Sequence, residues 1–455
     1  MFFRQVLHRD LGCASYVIAD GGDGAVVDPK WEIDDYLRLA DENGFQIRHV
    51  LETHNHADHV SGRGRLAEAT GATLHVSADA EVEYEHEPLS DGDAIELGKV
   101  RIVARATPGH RPEHTAYVIE DRSRGDAPWL VLTGDSLFVG DVARPDLAVE
   151  PEEGARDLHH SLLGLLELDD YVEVWPGHIG GSLCGGAGMS ETPGSTIGFE
   201  RRFNELLGVD EDEFVRKLTS DLAPQPPNFE RIVELNRGPL LRHSAPLEPL
   251  SAARVDELVR EGATLLDGRE PREFTSGHTP GALSVTMVNA AVGTRAAWVV
   301  DPDADVIVLA SGDADARKLG RMLEAVGFRS LRGYLAGGIA AWHDAGLEIA
   351  TVPSIDVATL AERLRAGELE LLDVREEEEW NEGHVEGSFG TPYHGLRDGA
   401  PKELRGSGQL AVACSAGNRA SLAVSLLLRH GLDRPLVHVA DGGVADLSEH
   451  GIELV

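Results

Sequence analysis

Cysteine is scarce, with three residues (Cys13, Cys184 and Cys414) in a chain of 455. They stand far apart and are odd in number, which excludes a disulfide framework as the organising device. Free thiols suit a reduced, cytoplasmic setting. Lysine occurs only at Lys30, Lys99, Lys217, Lys318 and Lys402, so arginine carries most of the positive charge. Positive charge of both kinds is short: 41 basic residues against 78 acidic ones leave a formal charge of −37. A balance that acidic repels polyanions and excludes nucleic acid and an anionic membrane surface as partners. No stretch approaches the ~20 uninterrupted apolar residues of a membrane span. The opening MFFRQVLHRDLGCASY is broken by Arg4, His8, Arg9 and Asp10, so no secretory leader is expected.

What remains is an ordinary globular composition, 42% hydrophobic and 26% charged, enough for several buried cores. The length suggests about three domains. An internal repeat locates two of them: TLLDGREPREFTSGHTPGA (264–282) matches ELLDVREEEEWNEGHVEGS (370–388). Asp267, Arg269 and His278 correspond to Asp373, Arg375 and His384, and each copy ends in a glycine pair, Gly337–Gly338 and Gly442–Gly443. Each copy alternates helix and strand patterns (ARVDELVREG then TLLD; VATLAERLRAG then ELLD), which predicts a mostly parallel sheet per repeat. Residues 1–245 instead read as many strands, among them SYVIAD, GAVVD, HVLETH, ATLHV, VRIVAR, TAYVIE and WLVLTGD. The proline-rich LAPQPPNF predicts an extended segment, and RHSAPLEPLS a linker. The expected domains are therefore 1–245, 246–352 and 353–455.

The densest chemical signal is ETHNHADH, which packs His54, His56, Asp58 and His59 into six residues after an apolar strand. Imidazoles and a carboxylate converging at a strand end suit a metal better than a core. His110 in TPGHRPEH, Asp135 in LTGDSL and His178 in WPGH follow later strands in the same manner. His54, His110 and Asp135 make a two-imidazole, one-carboxylate set, the facial arrangement that leaves positions on Fe(II) open for O₂ and substrate. His56, Asp58, His59 and His178 would complete a second metal site, or orient the first set. A binuclear pair, two zinc ions for instance, would activate water for hydrolysis.

The series THxHxDH, PGH, TGD, PGH resembles the metallo-β-lactamase fold, an αββα sandwich. Within it, LFVGDVARPDL and the PPNF segment resemble persulfide dioxygenases, and the ligand series also resembles glyoxalase II hydrolases. The first resemblance implies one Fe(II) per chain on His54, His110 and Asp135, with a thiol persulfide, O₂ and sulfite as small-molecule partners. The second implies two zinc ions. The resemblance also places Arg144 near the carboxylate end of a thiol substrate, an isolated surface ion pair being the other reading. Tyr117 in HTAY is either a hydrogen-bond donor at the site or a core-edge tyrosine. Cys184, in the glycine-rich GHIGGSLCGGAGMS, is either a sulfur relay or a small inert residue.

In the second repeat QLAVACSAGNRASLAVSLLL sets Cys414 at a strand end, with Arg419 closing a short turn before a helix. Backbone N–H groups, the helix terminus and Arg419 favour a thiolate there and, after sulfur transfer, a persulfide. The motif resembles rhodanese, an α/β sulfurtransferase, and its C-x₄-R loop is shorter than the C-x₅-R of phosphatases. The first repeat has Ala310, Ser311 and Gly312 where the cysteine is expected, and Asp313 and Asp315 would repel an anionic donor. It reads as a silent rhodanese-like domain, structural or a docking spacer. The fold expected is thus α/β, a metallo-β-lactamase sandwich followed by two rhodanese-like domains. Tethering would let sulfite made at the first site meet sulfur carried on Cys414. A homo-oligomer is left open.

Overall fold

The chain is described by a computed structural model covering residues 1–180, 182, 184–186, 188–220, 222–244, 246–288 and 291–455. Ala245, the end of the expected N-terminal domain, and Gly181, Leu183 and Ala187 of the glycine-rich segment lie outside the described residues. Two compact units emerge, Met1–Ser244 with Ala325–Gly327, and Ala245–Glu324 with Phe328–Val455.

In the first unit β1 (Phe2–His8), β2 (Cys13–Asp20), β3 (Asp23–Val27), β4 (Gln46–Leu51), β5 (Thr73–Ser77) and β6 (Glu87–Leu89) form one sheet in sequential order. A second sheet runs β7 (Ala94–Leu97), β8 (Val100–Ala106), β9 (Thr115–Asp121), β10 (Pro128–Gly134), β11 (Glu173–Pro176) and β12 (Ser195–Thr196). Period-two alternation decides which way each residue faces. Tyr16, Ile18, Ala25 and Val27 meet Ile102, Tyr117, Ile119 and Leu132 in a core between the sheets. Their neighbours Val17, Val26 and Val50 face outward onto Tyr36, Leu39 and Leu66 of the helices Asp34–Asn43 and Arg63–Thr70. On the far side Val118, Val131 and Val174 pack against Leu158 and Leu162 of the helix Pro151–Leu165. Helix, sheet, sheet and helix are therefore stacked in that order, the sandwich expected from the sequence. All seven strands read there form; β1, β6, β7, β11 and the short β12 were not among the seven.

The second unit holds two parallel five-stranded sheets. One contains β13 (Pro249–Leu250), β14 (Thr264–Asp267), β15 (Leu283–Ser284), β16 (Val306–Leu309) and β17 (Leu331–Leu335), ordered 13-17-16-14-15. The other contains β18 (Ser354–Asp356), β19 (Leu369–Asp373), β20 (Phe389–Gly390), β21 (Gln409–Ala413) and β22 (Leu436–Asp441), ordered 18-22-21-19-20. The two orders are the same permutation, so the sequence repeat is a repeat of topology. Register fixes the correspondence at the turn: Asp267 pairs Leu309 while Asp373 pairs Ala413, which sets Ala310 where the other copy has Cys414.

Each repeat is clamped alike. Arg269 holds Asp267 through Nε and Nη2, at 2.9 and 2.6 Å, and reaches the Gly277 carbonyl at 2.8 Å. Arg375 does the same to Asp373 (3.0 and 2.6 Å) and the Gly383 carbonyl (2.8 Å). His278 stacks on Phe274 and His384 on Trp380, with ring centroids 4.1 and 4.0 Å apart. These are bidentate, mostly buried pairs that fix the loop after each first core strand.

Candidate metal centre and sulfur-transfer site

Every sequence-identified ligand lies just past a strand end on one rim of the sandwich. His54, His56, Asp58 and His59 follow β4, His110 follows β8, Asp135 follows β10 and His178 follows β11. Gly109 makes the His110 turn possible: its φ is 140°, and a Cβ there would collide with the Leu158 backbone.

His54, His110 and Asp135 converge. Asp135 Oδ2 lies 3.9 Å from His54 Nε2 and 3.5 Å from His110 Nε2, and all three residues are buried. Both Nε2 atoms and both Asp135 oxygens are buried without a hydrogen-bond partner among the described residues. Buried polar atoms are rarely left so. The outer ring atoms, by contrast, are occupied. His110 Nδ1 donates to the Arg144 carbonyl at 2.9 Å. Thr53 Oγ1 gives its proton to Asp28 (2.9 Å) and so accepts from His54 Nδ1 at 2.9 Å. Both rings are thereby held with the Nε2 lone pair aimed at Asp135, as metal-ligating imidazoles are. The residues present fit a divalent metal.

The other set is arranged differently. His56 Nε2 sits between Asp28 Oδ1 (3.1 Å) and Glu52 Oε2 (3.3 Å). Burial alone would lower its pKa, but those carboxylates raise it to about 10, leaving Nδ1 as its open ring atom. Asp58 Oδ1 faces His59 Nδ1 at 3.2 Å, and His178 Nε2 lies 3.5 Å from Asp58 Oδ2 and 3.2 Å from Asp135 Oδ2. His178 therefore spans the two carboxylates.

Three participants were not recognised in the sequence. Cys13 Sγ donates to Asp58 Oδ2 at 2.8 Å and groups with Asp58 and His178; only the register of β2 beside the His178 turn brings it there. His114 Nε2 accepts the Asp135 backbone N–H at 2.9 Å and Nδ1 reaches Thr107 Oγ1 at 2.8 Å, so this imidazole is neutral and steers Asp135. Burial, with His110 nearby, lowers its pKa to about 3. Arg111 lines a cavity of about 550 Å³ whose wall also includes Asn55 and Ala57, interleaved with the ligands, and Phe229 and Arg237.

Two expected substrate contacts are corrected. The Arg144 guanidinium is buried and clamped by Asp146 (Nε and Nη2, both 2.7 Å) and the Ala223 carbonyl (2.7 Å). Its carbonyl, not its charge, serves the centre, and the cations on the cavity wall are Arg111 and Arg237. Tyr117 is fully buried between the sheets and donates to the Glu52 carbonyl at 2.8 Å, so it is a core residue. Cys184 packs on Phe138 and Ala143 yet groups with Asp135 and His178; burial pushes its thiol up to about 12.

Comparison with known proteins now bears on this geometry. The metallo-β-lactamase superfamily model matches residues 8–178, and the rhodanese-like domain model matches 251–345 and 356–450. An uncharacterised Mycobacterium leprae protein is 33% identical over 43% of this chain and 94% of its own length.

The chain carries a metallo-β-lactamase superfamily domain followed by two rhodanese-like domains.

The mitochondrial persulfide dioxygenase of Bos taurus is 26% identical over 52% of this chain and 87% of its own. A Staphylococcus aureus metallo-β-lactamase crystal structure covers 74% of this chain and 98% of its own at 27% identity, with a TM-score of 0.66. The chain is thus similar to persulfide dioxygenases through its first unit and to rhodanese-like domains through its second. No helix among the described residues is long and apolar enough to cross a membrane.

In the last rhodanese-like domain Cys414 caps β21 and the helix Asn418–Arg429 follows. Gly417, at φ 84°, turns its N–H onto Cys414 Sγ at 3.1 Å. Arg419 is held by its neighbours, Nη2 donating to Glu379 Oε1 at 2.9 Å and Ser415 Oγ at 3.0 Å, and its guanidinium lines the same cavity as Cys414, within electrostatic reach of the thiol.

Proposed function

We propose that the first unit oxidises a low-molecular-weight thiol persulfide with O₂ to sulfite, using one Fe(II) held by His54, His110 and Asp135. Cys414 then transfers sulfane sulfur, making thiosulfate, in the service of sulfide detoxification in the cytoplasm. Domains 1–245, 246–352 and 353–455 divide the work. The observation that carries this reading is the trio of buried, unpartnered ligand groups, two imidazole Nε2 atoms and the Asp135 carboxylate, beside a cavity large enough for a thiol.

Ferrous iron, when bound, supplies the redox activation of O₂ that no side chain can. The chain's own residues do the rest. Thr53 and the Arg144 carbonyl fix the ligand tautomers, and His114 fixes the Asp135 main chain. Arg111 and Arg237 stand on the cavity wall, each paired with a carboxylate of the same wall, Glu113 at 2.9 Å and Glu81, and so would orient polar groups of a substrate there. The first reaction balances as RSSH + O₂ + H₂O giving RSH, sulfite and two protons. In the second, sulfite attacks the outer sulfur of the Cys414 persulfide, the S–S bond breaks, and the Cys414 thiolate leaves with thiosulfate as product. Cys184 stands close enough to the ligand cluster for a relay role to be tested in the same assays.

Protein purified without oxygen should contain about one iron per chain and consume O₂ only when a persulfide is added. Two zinc ions with thioester hydrolysis and no sulfite would overturn the proposal. Cys414→Ser should retain O₂ uptake and lose thiosulfate formation; losing both would refute two separable steps.

A further inference from the structure

We propose that Asn236 is the positioning residue of the metal-ligand loop. Its side-chain amide fixes the main chain from His56 to Ser61, so the affinity of the centre for its metal is set in part by a helix 175 positions further along the chain. The inference concerns the ligand loop itself and holds whichever reaction the centre carries out.

Asn236 is buried, and its amide is used to capacity. Nδ2 donates to the His56 carbonyl and to the His59 carbonyl, each at 2.9 Å, and Oδ1 accepts the Ser61 N–H at 2.9 Å. A primary amide has two N–H donors on one side and an oxygen on the other. Two carbonyls facing one side and an N–H facing the other therefore fix which way it points. His56, Asp58 and His59 lie on or between the two carbonyls it holds. A loop whose main chain is held before the metal arrives loses less freedom when its ligands close on the ion.

The support closes on itself. Ser61 Oγ donates to Glu52 Oε1 at 2.6 Å, and Glu52 Oε2 faces His56 Nε2 at 3.3 Å, which returns to the residue whose carbonyl Asn236 holds. Arg63 braces the ring from outside: its guanidinium donates to the Asn236 carbonyl, lies 3.8 Å from Glu52 Oε2 and covers the Tyr84 ring at 4.8 Å. The helix Phe229–Arg237 that carries Asn236 also places Phe229, Val233 and Arg237, spaced by four, on the wall of the 550 Å³ cavity. One short helix thus grips the ligand loop and walls the space beside it.

The test is the equilibrium affinity of the full-length protein for Co(II), read by competition with a chelator. Asn236→Ala should lower it about 10- to 100-fold. Asn236→Asp, matched in size but turning an oxygen toward two carbonyl oxygens, should lower it at least as far, whereas a side chain that only fills space would be replaced by Asp without loss. Asn204→Ala is the control: it removes another buried amide, whose Nδ2 donates to the Asp141 carbonyl at 3.1 Å and whose Oδ1 accepts the Leu206 N–H at 3.2 Å. It should lower the urea midpoint comparably and leave the affinity unchanged. Native affinity in Asn236→Asp would overturn the inference, and so would an equal loss in Asn204→Ala. In the unaltered protein Co(II) should slow amide hydrogen exchange in 229–237 together with 54–61, and protection confined to 54–61 would overturn it as well. Cobalt affinity needs no O₂ chemistry, so a failure of the oxidation reading is distinguishable from a failure here.

Discussion

At the scale of single residues, the centre is governed by what holds the ligands. His114→Ala removes the acceptor for the Asp135 amide without removing a ligand. Iron affinity should fall about 10- to 100-fold, the usual effect of losing a group that orients a ligand, and a chelator competition at equilibrium would measure it. Tyr117→Phe tests a correction. It strips the donor from the Glu52 carbonyl deep in the core, so stability should drop by about 1–3 kcal/mol in urea melts while O₂ uptake per folded molecule stays put. These residues also mark the limit of reading a chain in one dimension. THxHxDH announces a metal because its ligands are contiguous. Cys13 meets Asp58 from 45 positions away, and no local pattern signals that. For Arg144 the sequence could not say whether the guanidinium or the carbonyl would act, and the answer depended on Asp146 two residues later capturing the charge.

At the scale of elements, strands long enough to alternate were legible: SYVIAD, VRIVAR and TAYVIE lie in β2, β8 and β9, each seven or eight residues. β6 and β7 have three and four residues, too few for a period of two to appear, and β6 contains Pro88. The turn after β21 carries the sharpest expectation at this scale. A Cβ on Gly417 would lie 2.7 Å from the Ala440 carbonyl oxygen at a φ of 84°. Gly417→Ala should therefore cost about 1–3 kcal/mol of stability. It should also slow thiosulfate formation more than it slows O₂ consumption, since only the Cys414 loop is displaced. Equal slowing of the two rates would contradict that separation.

At the scale of the whole molecule, charge dominates. With a net −37, mutual repulsion destabilises the folded chain most at low ionic strength. Raising salt from about 0.01 M to 0.15 M shortens the screening length from roughly 30 to 8 Å. The thermal midpoint should rise across that range; a fall would mean that local ion pairs outweigh the acidic excess. Acid acts through particular pairs. Burial alone would raise Glu113, Asp146 and Glu379, yet Arg111, Arg144 and Arg419 hold each below its ordinary value. A carboxylate depressed in the folded state adds stability above its unfolded pKa and loses it as pH falls through the folded one. Urea midpoints should thus stay level down to about pH 5 and decline steadily below about pH 4.

The Asp–Arg clamps of the two repeats match bond for bond, and Ala310 occupies the rung that Cys414 takes in its twin. In the first repeat Asp313 Oδ1 accepts the Gly337 N–H at 3.0 Å, which sets a carboxylate three residues beyond Ala310. Restoring a thiol by Ala310→Cys would consequently revive nothing by itself. A single reversion would leave that carboxylate in place on the turn that follows Ala310.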